Sequence, residues 1–130
     1  MIYLDSCIVI YAVEDDGDRG NAIRQRLAGA GDEVVAISPL VTLECLVGPL
    51  RDDNLALHDH YVRALDQFHR LPLDEREYIR AAELRARYGL RTPDALHLAA
   101  AQLHGCAELW TNDNRLADAA RGLDVVVPQG

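Results

Sequence analysis

Short apolar runs alternate with helical segments from one end of this 130-residue chain to the other, and that alternation constrains its fold more than any other feature. Ile2–Leu4, Glu33–Ile37, Glu108–Trp110 and Asp124–Val127 have the length and the apolar or β-branched content of strands. Leu71–Leu73 reads as a short connecting element rather than a strand of the sheet. Strands that alternate with helices in this way build an α/β fold, with a mainly parallel central sheet of four to five strands and helices on both faces. No repeat, low-complexity tract or linker breaks the pattern, so a single domain over residues 1–130 is expected.

Local signals place the helices. Ser6 is positioned to cap a helix from Cys7 to about Glu14, and the Asp15-Asp16-Gly17-Asp18 turn opens a second that ends at Gly29. Ser38-Pro39 offers a cap followed by a proline at the first helical position, for a helix that stops near Gly48-Pro49. A polar helix is expected from about Asn54 to His69. Asp74 and Glu77 form an acidic capping box for a helix closed by Gly89. Thr92-Pro93 repeats the serine–proline device for a helix ending at Gly105, and a short helix follows Asp113.

Composition excludes several classes. No apolar run approaches the ~20 residues that span a bilayer, so no membrane partner is expected. The apolar opening at Met1–Leu4 is cut at once by Asp5 and has no basic region before it, unlike a signal peptide. Cys7, Cys45 and Cys106 form no CxxC pair and read as reduced residues of a cytoplasmic protein. The formal charge of −8 disfavours a nucleic-acid partner unless many acids serve a metal, because bound divalent ions invert the local potential. All 13 basic residues are arginine. The absence of lysine rules out any catalytic amine, and with it a signalling receiver domain that needs a lysine beside its aspartate.

Four carboxylates stand out. Asp5 follows the first strand and Asp113 lies three residues past Trp110, so topology brings both to the edge where parallel strands end and where ligands bind in open α/β sheets. Asp94 begins a helix whose other positions are almost all apolar, where an acid needs a partner or a metal. Glu44 sits too far into its helix to cap it and has Val41 and Val47 at i−3 and i+3. Each acid taken singly also has a plain structural role, as a turn, a cap or a helix-start charge. Together they form an oxygen ligand set suited to Mg²⁺ or Mn²⁺ rather than zinc, and such metals activate water against phosphodiesters.

The segments Ile2-Tyr3-Leu4-Asp5-Ser6, Glu44, Thr92-Pro93-Asp94-Ala95-Leu96-His97-Leu98-Ala99 and Thr111-Asn112-Asp113 resemble, in order and spacing, the four motifs of PIN domains. Over essentially the whole chain the resemblance is to the VapC toxins of bacterial type II toxin–antitoxin pairs. It implies a Mg²⁺- or Mn²⁺-dependent endoribonuclease acting on RNA, usually a homodimer, neutralised by a small cognate antitoxin. It also implies metal coordination by Asp5, Asp94 and Asp113, with Glu44 binding directly or through water, and orientation of ligands or substrate by Ser6, Thr111 and Asn112. Cys7 stands where the opening motif more often has Asn or Ser.

His97, three residues after Asp94, reads as a structural histidine or one that orients a carboxylate. His58 and His60 do not share a helix face and read as surface residues. Arg91 and Arg115 flank the third and fourth motifs, within reach of phosphate or as plain surface charges. Two alternatives to the toxin stay open: an RNA-processing PIN nuclease without an antitoxin, and a non-catalytic α/β binding module.

Overall fold

All three residues of β1 (Ile2–Leu4) are buried, as expected of a strand covered on both faces, and β1 occupies the middle of the sheet. The computed structural model describes residues 1–128. Its five strands are ordered β3 (His69–Arg70), β2 (Val35–Ile37), β1, β4 (Glu108–Trp110) and β5 (Asp124–Val126). Every pairing is parallel, with Tyr3 level with Ala36 on one side and Leu109 on the other.

Six α-helices connect the strands: α1 (Ser6–Glu14), α2 (Asp18–Ala28), α3 (Pro39–Arg51), α4 (Leu55–Leu65), α5 (Glu75–Tyr88) and α6 (Thr92–Leu103). A 3₁₀ helix, Asn114–Ala119, lies between β4 and β5. The chain runs outward from β1 to β3, then crosses back past β1 to β4. Right-handed crossovers in opposite directions place their helices on opposite faces of the sheet. α6 is buried continuously from Ala95 to Ala101, which explains its nearly uninterrupted apolar sequence.

Several expected boundaries moved. Leu71–Leu73 lies outside the strands as expected, but an unforeseen third strand, His69–Arg70, precedes it, and the Leu71 N–H extends its ladder by donating to Ile37 O at 2.8 Å. Both strand residues are exposed, so this edge carries no apolar signal. The polar helix ends at Leu65 instead of His69. α3 continues through Gly48-Pro49 to Arg51, because Pro49 is buried and the packing outweighs its missing N–H. Neither Ser6 nor Ser38 caps a helix with its hydroxyl. Ser6 lies inside α1, and Ser38 turns to the hydroxyl of Tyr3. Thr92 likewise lies within α6. The Asp74–Glu77 capping box and the left-handed Gly89 (φ 68°) stand as expected.

Candidate active site

Two neighbouring strand ends create the site. β1 and β4 lie where the chain's winding reverses, and in open α/β sheets that crevice receives ligands. Asp5 follows β1 and is fastened across the crevice: its N–H donates to Trp110 O at 3.0 Å, and Thr111 Oγ1 donates to Asp5 Oδ2 at 2.9 Å. Ser6 Oγ donates to Asp5 Oδ1 at 3.3 Å. The Asp5 side chain is 10% exposed, so these bonds fix a carboxylate in an almost closed setting.

α3 brings Glu44 to the same place and α6 brings His97. The His97 ring is buried, with Nε2 2.7 Å from Glu44 Oε1 and 3.4 Å from Asp5 Oδ1. Its Nδ1 lies 2.7 Å from the Tyr3 hydroxyl, which meets Ser38 Oγ at 2.7 Å. Ligand atoms of Asp5, Glu44 and His97 all fall within 4.8 Å of one another. Burial pushes the Glu44 carboxyl up, but the hydrogen bond and charge of His97, aided by Ser6, outweigh it and hold the carboxyl below its usual range.

Asp94 lines the same cleft, of about 280 Å³, together with Asp5, Glu44, His97 and Asn112. Asp94 is 19% exposed and takes Arg91 Nε at 3.3 Å. Asp113 stands apart from that cleft. It lines an adjoining one of about 520 Å³, which shares Asp94 and Arg91 as its wall. There the guanidinium and backbone N–H of Arg115 hold the Asp113 carboxyl below the usual aspartate range. Of the four acids singled out in the sequence, Asp5 and Glu44 come within 4.8 Å of one another on either side of His97 Nε2, Asp94 lines their cleft, and Asp113 lies next door.

The donor set suits a hard divalent cation. Asp5 and Glu44 offer carboxylate oxygens, and His97 already uses both ring nitrogens, which makes it a bridge from Tyr3 to Glu44 rather than a free ligand. Cys7 lines the cleft too, but burial, with the nearby Asp5 charge, pushes its thiol up to about 12. It therefore stays protonated and is no nucleophile near neutral pH.

The model for the PIN domain matches residues 2–122. The chain belongs to the PIN domain family. Among solved structures this PIN domain is similar to a toxin–antitoxin complex from Klebsiella pneumoniae, with 29% identity, TM-score 0.80, and 99% and 98% of the two chains covered. It is also similar to FitAcB from Neisseria gonorrhoeae, at 21% identity and TM-score 0.83, over 98% of each chain. A Mycobacterium tuberculosis VapC toxin described as cleaving the sarcin–ricin loop aligns at 18% identity and TM-score 0.72, over 92% and 95% of the chains. No curated protein sequence matches the chain.

Sequence reasoning missed Tyr3 and Ser38, the far end of the chain of hydrogen bonds that reaches Glu44 through His97. A signal existed: a tyrosine in the middle of a fully buried strand must find a partner for its hydroxyl. Among the described residues, no helix of this PIN domain is long and apolar enough to cross a membrane.

Proposed function

We propose that the protein is a metal-dependent endoribonuclease, the toxin of a toxin–antitoxin pair, hydrolysing RNA phosphodiesters at the cleft between β1 and β4. The observation that carries this reading is the convergence of Asp5, Glu44 and His97 within 4.8 Å, with Asp94 on the same wall. Membership of a nuclease family and the likeness to toxin–antitoxin complexes support it.

Asp5, Glu44 and Asp94 would hold Mg²⁺ or Mn²⁺, with Asp113 completing the set from the adjoining cleft. When bound, such an ion lowers the pKa of a coordinated water and offsets charge on the phosphate. The chain's own groups prepare the site. Thr111 and Ser6 fix the Asp5 oxygens, and His97 holds Glu44 toward them. Asn112 lies on the cleft wall and would contact substrate from there. A cognate antitoxin protein and a homodimeric assembly belong to the same proposal.

Purified protein incubated with total RNA should cut it in Mg²⁺ or Mn²⁺ and leave it intact in excess EDTA. Asp5→Asn should abolish cutting while circular dichroism stays that of the wild type, and induced expression should arrest bacterial growth for the wild type alone. Undiminished cleavage in EDTA or by Asp5→Asn would sink the mechanism.

A further inference from the structure

Two of the acids proposed to hold the metal are already engaged by arginines from their own neighbourhoods. Arg115 takes both oxygens of Asp113: its Nε is 2.9 Å from each, Nη2 is 2.6 Å from Oδ2, and its backbone N–H is 2.9 Å from Oδ1. A carboxylate offers about four lone-pair sites, so these contacts occupy the whole group. Arg91 holds Asp94 more loosely, through a single Nε contact at 3.3 Å. The cost of holding these side chains is small. Arg115 and Arg91 are 81% and 79% exposed, and exposed ion pairs of this kind are weak and exchangeable.

The charges leave room for a cation. Four carboxylates against these two guanidiniums leave two negative charges, which one divalent ion balances. An ion that takes Asp94 and Asp113 leaves the site neutral overall but displaces both guanidiniums from their carboxylate oxygens, beside a cleft also lined by Tyr88. A planar guanidinium fork with no acid to hold is a ready partner for a phosphodiester.

We propose that Arg91 and Arg115 compete with the divalent cation for Asp94 and Asp113, and that cation binding hands both arginines to the phosphates of the RNA strand. The adjoining cleft is then the track for the substrate backbone beside the bond that is cut. This inference rests on the metal-site reading given under Proposed function. It assigns the two arginines a positioning role that neither a plain surface charge nor a fixed structural pair would have.

Mn²⁺ alone, titrated calorimetrically into the full chain, separates the possibilities. Removing a competing cation in Arg115→Gln should tighten Mn²⁺ binding by about threefold, with a smaller gain for Arg91→Gln. Weaker Mn²⁺ binding in Arg115→Gln would mean that the arginine holds Asp113 in place for the metal, and would overturn the proposal. The ¹⁵N side-chain spectrum gives an independent readout. The Arg115 Nε–H resonance, assigned by its loss in Arg115→Gln, should move when Mg²⁺ saturates the protein and move again on adding inorganic phosphate. A resonance indifferent to Mg²⁺ would overturn the exchange even where the metal binds. Wild-type protein that binds no Mn²⁺ at all would instead overturn the metal site, and this inference with it.

Discussion

His97 stands between a strand and an acid: its Nδ1 lies 2.7 Å from the Tyr3 hydroxyl and its Nε2 2.7 Å from Glu44 Oε1. The Tyr3 hydroxyl in turn meets Ser38 Oγ at 2.7 Å, so an unbroken chain of hydrogen bonds runs from Ser38 through Tyr3 and His97 to Glu44. Tyr3→Phe removes the link and leaves the buried Ser38 hydroxyl and His97 Nδ1 without it. The expected loss is about 1–3 kcal/mol, seen as a lower urea midpoint at unchanged slope. A midpoint equal to the wild type's would show that the hydroxyl does no holding.

Asp5 and Asp113 should respond differently to loss of charge. Among the described residues Asp5 has no arginine partner and faces Glu44, whereas Asp113 is saturated by Arg115. Like charges held together destabilise a fold until a cation joins them. In EDTA, Asp5→Asn should raise the melting temperature by about 3 °C, near 1 kcal/mol for a chain of this length, and should shrink the gain on adding Mn²⁺. Asp113→Asn should change the EDTA value little, since it gives up a surface pair of small worth. Melting curves in which both variants shift alike would mean that Asp5 and Glu44 do not repel.

Much of this was legible in the sequence, and the reason differs from element to element. The central strands and α6 could be read because burial on several faces forces apolar residues at nearly every position, leaving Asp94 conspicuous. The edge strand His69–Arg70 could not, because both its residues are exposed and any polar pair would serve. Asp5 was legible from topology alone, since a parallel sheet delivers every strand end to one side. The ties of Ser38 to Tyr3 and of His97 to Glu44 join residues 35 and 53 positions apart, and no local pattern encodes such a meeting. Arg91 and Arg115 were visible as flanking charges, but only three-dimensional geometry turned them toward the acids they neighbour.

Gly20 tests the corner that leads from α1 into α2. Its N–H donates to Asp15 Oδ2 at 3.0 Å, and a Cβ there would lie 2.0 Å from the Asp15 carbonyl oxygen. Backbone cannot yield as a flexible side-chain end can. Gly20→Ala should therefore cost about 1–3 kcal/mol in denaturant unfolding, despite the better helix propensity of alanine. A neutral or stabilising result would show that the two segments do not approach so closely.

Glu77 gives the protein an acid-sensitive anchor far from the cleft. The residue is 1% exposed, and burial alone would push its carboxyl up. Backbone N–H groups of Asp74 and Glu77, the His104 ring at 3.0 Å and the Arg76 charge outweigh that, so the folded carboxyl sits below its ordinary value. The sign follows from which state binds the proton more readily. Here the unfolded chain does, so the stabilisation is complete above the unfolded value of about 4.3 and is lost as pH falls through the lower folded value. Glu77→Gln should be less stable than the wild type by about 1 kcal/mol at pH 7. In urea unfolding series the two proteins should converge as pH falls below about 4.3 and on through the lower folded value, where the wild type takes up its proton. A gap that stays constant across that range would trace the difference to packing, since an ionised carboxylate must lose its advantage once it is protonated.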